Sequence, residues 1–252
     1  MRTNALAFVP AGLLLLLACT HDLQLAPQPP KAAATTTTGP WASMIFVART
    51  DSGVLAIDLG WTGAEDGLRR VLTQIGATPS DVRWVFLTHA HRDHIGAWSV
   101  LRQATFILGR DEVPFFTGTA AYRGFVPRIG DRLFSYRRPK EGELKIVPVS
   151  ADTVFALGQD SVRAFPIPGH TAGSTAYLFR ETLFAGDAAN WRMTSGFRGA
   201  RSEFSDDVER SRASMASLLN RLDSAGIAWR VLCTAHGKCG LADSTTRLKI
   251  LR

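Results

Sequence analysis

The sequence predicts an α/β fold, and three observations carry that prediction. Short apolar runs rich in strand formers recur at 83–87, 105–108, 162–167, 175–179, 182–185 and 229–233. Two stretches, 62–75 and 206–225, carry the 3.6-residue periodicity of amphipathic helices. Histidines and aspartates follow several of the strand-like runs directly, and loops at the carboxyl ends of strands are where α/β folds keep their chemistry.

The chain has 252 residues, enough to bury a substantial core in one or two domains. Its formal charge is +7, which suits a membrane surface, nucleic acid or an acidic substrate. No lysine–arginine run selects among these. The cluster Arg132, Arg137, Arg138 and Lys140 reads as a solvated loop, so no nucleic-acid partner is expected.

Residues 1–18 have the shape of a signal peptide, with Arg2 as the lone charge before an apolar run centred on Leu13–Leu17. The run is too short for a confident membrane span. Leu16-Leu17-Ala18-Cys19 resembles the bacterial lipoprotein box, which implies cleavage before Cys19 and lipidation of that residue. The expectation is an exported, periplasmic or cell-envelope protein held to a membrane by a lipid anchor. Residues 19–40, rich in Pro, Ala and Thr, read as an extended or disordered tether, and the folded domain is expected over 41–252.

Within that domain, 44–48 and 54–58 read as paired strands around the turn Asp51-Ser52-Gly53. Thr62-Gly63-Ala64-Glu65 reads as a capping box opening a helix with Leu68, Val71, Leu72 and Ile75 on its apolar face. The run 83–87 ends in Thr88-His89-Ala90-His91-Arg92-Asp93-His94, after which 95–101 reads as a helix start. Residues 111–142 carry aromatics, including Phe115, Phe116, Tyr122, Phe125, Phe134 and Tyr136, without clear periodicity. They read either as a self-packed loop or as a wall over the site. A strand-rich half follows, then a Gly- and Arg-rich loop at 192–203, the helix at 206–225 and a last strand at 229–233.

Five of the six histidines fall beside these strand-like runs; His21 alone lies in the tether. Three crowd into 89–94 with Asp93 between them. His170 follows 162–167, Asp187 follows 182–185, and His236 follows 229–233. Neutral imidazole and carboxylate are the donor mixture that a borderline metal such as zinc takes.

His89-x-His91-x-Asp93-His94, followed by Gly169-His170, Gly186-Asp187 and Ala235-His236, resembles the metallo-β-lactamase-fold hydrolase superfamily. The resemblance implies a four-layer αββα sandwich with its site at one edge of two sheets. It implies two divalent ions, zinc being expected and iron or manganese the alternatives. His89, His91 and His170 would hold the first ion and Asp93, His94 and His236 the second, with Asp187 bridging. Asp58 resembles the family's structural aspartate, a support to the histidine loop rather than a ligand. The implied reaction is attack by a hydroxide held on the two metals on an ester, lactone, thioester or lactam-like small molecule, with Asp93 taking the proton.

One large group of true β-lactamases uses a cysteine where this chain has Asp187; Gly186-Asp187 looks more like glyoxalase-II-type thioesterases and acyl-homoserine-lactone lactonases. About sixteen residues follow His236, too few for a helical glutathione-binding domain. A mononuclear iron enzyme using oxygen, and a metal-binding protein without activity, are the other readings. The remaining cysteines, Cys233 and Cys239, flank His236. Their separation permits a disulfide, or leaves them as free thiols.

Overall fold

The computed structural model describes residues 32–133 and 136–251. The signal-like segment, Cys19, His21 and Phe134 lie outside the described residues.

The first sheet has six strands in simple order. β1 (Ala33–Thr38), β2 (Ser43–Thr50) and β3 (Gly53–Ile57) pair antiparallel, and helix α1 (Glu65–Gln74) leads to β4 (Val82–Phe86). β4, β5 (Thr105–Gly109) and, beyond two short helices, β6 (Lys145–Val149) continue the sheet in parallel with β3. Those helices are α2 (Val113–Phe116) and α3 (Phe125–Leu133).

The second sheet runs antiparallel through β7 (Thr153–Leu157), β8 (Asp160–Pro166), β9 (Thr175–Phe179) and β10 (Thr182–Phe184). A hairpin, β11 (Ala189–Arg192) and β12 (Gly196–Gly199), and helix α4 (Val208–Ser224) intervene. β13 (Val231–Cys233) then pairs parallel with β10, β14 (Cys239–Leu241) closes the sheet, and α5 (Ser244–Ile250) follows.

Strand alternation builds three apolar layers from these two sheets. In β3, Val54 and Ala56 face α1 and its Leu68, Val71 and Leu72, whereas Leu55 and Ile57 face the other sheet. In β9, Tyr177 and Phe179 meet that inner layer, and Ala176 and Leu178 turn outward to Met215, Leu218, Leu219 and Leu222 of α4. Helix, sheet, sheet, helix is therefore the order of layers, the four-layer αββα sandwich.

Several local expectations need correction. Residues 33–38, assigned to the tether, are an edge strand: Thr is a good strand former, and this run alternates in burial against β2. The folded part thus begins before Trp41. No side chain caps α1, which starts at Glu65 after Ala64, so Thr62 does not form the expected capping box. Residues 95–101 make only a 3₁₀ turn, Trp98–Val100, because the amides of Gly96 and Ala97 are bonded to the carbonyls of Gly60 and Leu59. The stretch 111–142 contains α2 and α3, and the loop expected at 192–203 is largely the β11–β12 hairpin.

Candidate metal centre

The loops after β3, β4, β8, β10 and β13 meet at one edge of the sandwich. They bring His89, His91, Asp93, His94, His170, Asp187 and His236 together. Distances divide these seven into two groups, each tight enough to hold a metal ion: His89, His91, His170 and Asp187, and Asp93, His94 and His236. The second carboxylate oxygen of Asp187 lies between the groups, 3.7 Å from His170 Nε2, 3.9 Å from His94 Nε2 and 3.3 Å from His236 Nε2. Gly186 makes this placement possible. It has φ of 55°, and a Cβ there would lie 2.7 Å from the Thr88 side chain, so only glycine lets this turn pack on the histidine loop.

The far ring nitrogens decide the tautomers. Thr88 donates its hydroxyl to Asp58 Oδ2 (2.8 Å), so its oxygen accepts from His89 Nδ1 at 3.1 Å, leaving the His89 Nε2 lone pair free. His94 Nδ1 donates to the same Asp58 oxygen at 3.1 Å. Ser205 donates to the Arg201 carbonyl (2.7 Å) and accepts from His170 Nδ1 at 3.1 Å. His236 Nδ1 donates to the Trp41 carbonyl at 2.8 Å. Four imidazoles thus turn Nε2 inward, and His91 turns its Nδ1.

This arrangement fits a cation. His89 Nε2, His91 Nδ1 and His170 Nε2 stand 3.0–3.2 Å from one another. The Nε2 lone pairs of His89 and His170 converge on one point beside His91 Nδ1, a focus that a positive charge satisfies. Nitrogens 2.0–2.1 Å from a tetrahedral zinc are about 3.3 Å apart. Among the described residues, His94 Nε2 and Asp187 Oδ1 are also buried without a hydrogen-bond partner.

The titration behaviour follows the same division. Burial, helped by neighbouring imidazoles, holds His89 and His91 well below the usual histidine range; burial also lowers His170, against the Asp187 charge. Burial also works against the charged form of His94 and His236, but carboxylates win there. Asp93 and Asp58 raise His94, and Asp187 with Asp93 pushes His236 up to about 11. Asp93 and Asp187 are held below the usual carboxylate range, the facing imidazoles outweighing burial.

Asp58 takes no place in either group. Its Oδ1 accepts from the Thr88 amide at 2.8 Å, so its two oxygens fix the start of the loop, Thr88 and His94 at once. Cys233 and Cys239, register partners in β13 and β14, are joined by a disulfide that closes the loop carrying His236.

No sequence pattern marks Glu112. This carboxylate is fully buried; Oε2 accepts from the Ala90 amide (2.8 Å) and Oε1 from the Gly173 amide (2.9 Å). It clamps the 88–94 loop to the loop carrying His170. Burial pushes its carboxyl above the usual range even against these donors. Asp206 is the second such residue. Its amide donates to the His170 carbonyl, while its Oδ1 accepts from the amides of Arg123 and Gly124.

A family model described as the metallo-β-lactamase superfamily matches residues 38–219. The chain belongs to this superfamily. Among curated relatives, the uncharacterised protein YobT of Bacillus subtilis is 27% identical over 156 residues, 58% of this chain and 62% of its own. The probable polyketide biosynthesis zinc-dependent hydrolase BaeB of Bacillus velezensis is 22% identical, covering 69% of each chain. A hydroxyacylglutathione hydrolase of Methylococcus capsulatus is 32% identical across 51% of this chain and 43% of its own. The chain therefore spans about two thirds or less of these relatives. A metallo-β-lactamase family protein from Thermus thermophilus matches with a TM-score of 0.61 at 19% identity, covering 87% of this chain and 77% of that one. The subclass B3 metallo-β-lactamase of Bradyrhizobium japonicum matches at 0.58 and 20% identity, covering 82% and 78%. These superfamily structures share the fold.

Proposed function

We propose that this superfamily member is a metal-dependent hydrolase of an ester, lactone, thioester or lactam-like small molecule, with two divalent ions, zinc by preference. The observation that carries the reading is the set of five inward ring nitrogens, four oriented by a partner at the opposite ring nitrogen, sharing one volume with Asp93 and Asp187. Names of relatives, a zinc-dependent hydrolase and hydroxyacylglutathione hydrolases among them, lend support.

Ions held there supply a Lewis acid and bring the pKa of water toward neutrality. His89, His91 and His170 would hold one ion and Asp93, His94 and His236 the other. Asp187, close to both groups, would offset the mutual repulsion of two cations. Asp93, with Oδ2 3.3 Å from His236 Nε2, is the carboxylate positioned to take a proton as the reaction proceeds. The substrate body lies in the adjoining cavity of about 360 Å³, whose walls include Trp41, Trp61, Trp191 and Phe204. Such a surface excludes water and suits an apolar or ring-bearing acyl part.

The test is elemental analysis of protein purified without added metal, with a panel of lactone, β-lactam, thioester, aryl ester and phosphodiester substrates. Turnover of an acyl substrate tracking zinc content supports the reading; iron with oxygen consumption and no hydrolysis contradicts it. Export and lipid anchoring at Cys19 belong to the same proposal, on the evidence of Leu16-Leu17-Ala18-Cys19. Cys19→Ala is expected to release the protein from membrane fractions; wild type that fractionates as soluble with another N-terminus contradicts that part.

A further inference from the structure

Helix α3 is engaged with the rest of the fold on one side only. Val126, Pro127, Gly130 and Asp131 line the cavity, yet none of the nine residues is buried. Phe125, Ile129 and Leu133 recur every four residues and so form one stripe. Phe125 is 63% and Leu133 70% exposed. Across the cavity, Trp191 and Arg192 of β11 contribute to the lining, and the next residue, Met193, is 88% exposed. Two separate elements thus hold large apolar side chains in water around one cavity mouth. Scattered single residues of this kind are ordinary; several gathered at one rim mark an interaction surface.

The charges around the rim say what it meets. Arg128 and Arg132 follow the next stripe of α3, Arg123 precedes the helix, and Arg192 stands beside Met193, all exposed. Among the nearby acids, Asp131 pairs with Arg138 and Glu203 with Arg201, and Asp206 accepts from the backbone amides of Arg123 and Gly124. An apolar helix face edged by arginines fits a lipid surface with negative headgroups, entering roughly 5–10 Å into the headgroup boundary. No helix among the described residues is long and apolar enough to cross a membrane, so this contact lies on the bilayer.

We propose that the rim formed by α3 and the β11–β12 turn docks on an anionic lipid bilayer, bringing the cavity mouth against the headgroups. The proposal goes beyond the hydrolase reading and does not rest on the anchor expected at Cys19.

The experiment uses the metal-loaded full chain with Cys19→Ala, which removes the expected lipid attachment, and an environment-sensitive fluorophore at Met193→Cys. Cys233 and Cys239 are bonded to each other and do not compete for the label. The expected result is a blue shift on adding phosphatidylglycerol-containing vesicles, absent with pure phosphatidylcholine and reversed by salt. Phe125→Asp with Leu133→Asp should weaken that vesicle affinity by about tenfold or more. Arg128→Gln with Arg132→Gln should weaken it at low salt only. These side chains are exposed, so retained near-ultraviolet circular dichroism will certify the fold. Vesicle binding with no shift at position 193 and no effect of either pair, or no vesicle binding at all, would overturn the proposal. A shift that depends on protein concentration without vesicles assigns the rim to a second copy and overturns it too.

Discussion

Asp58 holds His94 through a 3.1 Å contact from Nδ1 to Oδ2, and the same carboxylate holds the amide and hydroxyl of Thr88. One acid thus fixes one imidazole directly and, through Thr88, the tautomer of His89. Asp58 sits at φ of 52°, a conformation that Asn also tolerates. Asp58→Asn should therefore fold normally while placing an amide donor against two donors. We predict that affinity for the ion on Asp93, His94 and His236 falls about tenfold to a hundredfold. Competition with a chromogenic chelator measures it; unchanged affinity contradicts the role.

Glu112 is expected to matter for both stability and metal. In Glu112→Gln the amide nitrogen must face either the Ala90 or the Gly173 amide, leaving a buried donor unpaired. The expected loss is about 1–3 kcal/mol, read from urea unfolding of the metal-free chain. A change below about 0.5 kcal/mol, as for an ordinary surface substitution, counts against the clamp.

Proton release should separate the two metal groups. Burial keeps His89, His91 and His170 low, so they are neutral at pH 7 and take an ion without giving up protons. Asp187 and Asp93 push His236 up to about 11, so in the metal-free chain it is protonated at pH 7 and an ion must displace that proton from Nε2; neighbouring carboxylates raise His94 in the same direction. Loading of the second group therefore strengthens as pH rises. Calorimetry in buffers of differing ionisation enthalpy should find protons released with the second equivalent of metal only. Equal release with both equivalents contradicts this.

How far the sequence carried can be argued from single residues. His89, His91, Asp93 and His94 are legible because one short loop packs four donors behind an obvious strand. His170, Asp187 and His236 are legible because each ends an apolar run. Glu112 is not, since its partners lie 22 and 61 residues away and a lone glutamate in 111–142 has no pattern around it. Ser205 and the Trp41 carbonyl act through one hydrogen bond each, and a backbone carbonyl leaves no mark on side-chain identity. β1 escaped because Ala-Ala-Thr-Thr-Thr-Thr has the composition of a linker; only its place beside β2 makes it a strand. The helix expected at 95–101 was overridden by tertiary bonds to Leu59 and Gly60, which leave only a 3₁₀ turn.

The central claim is that Asp187 joins two metal positions into one hydrolytic centre. Asp187→Asn keeps the size and one donor oxygen but removes the charge that would offset the repulsion of two cations. Elemental analysis of metal per chain, alongside turnover of the best acyl substrate, is the direct measurement, with His21→Ala as a control far from these residues in sequence. The account predicts loss of at least one ion and a fall in hydrolysis of about a hundredfold or more. Full metal content with full activity in Asp187→Asn would contradict it.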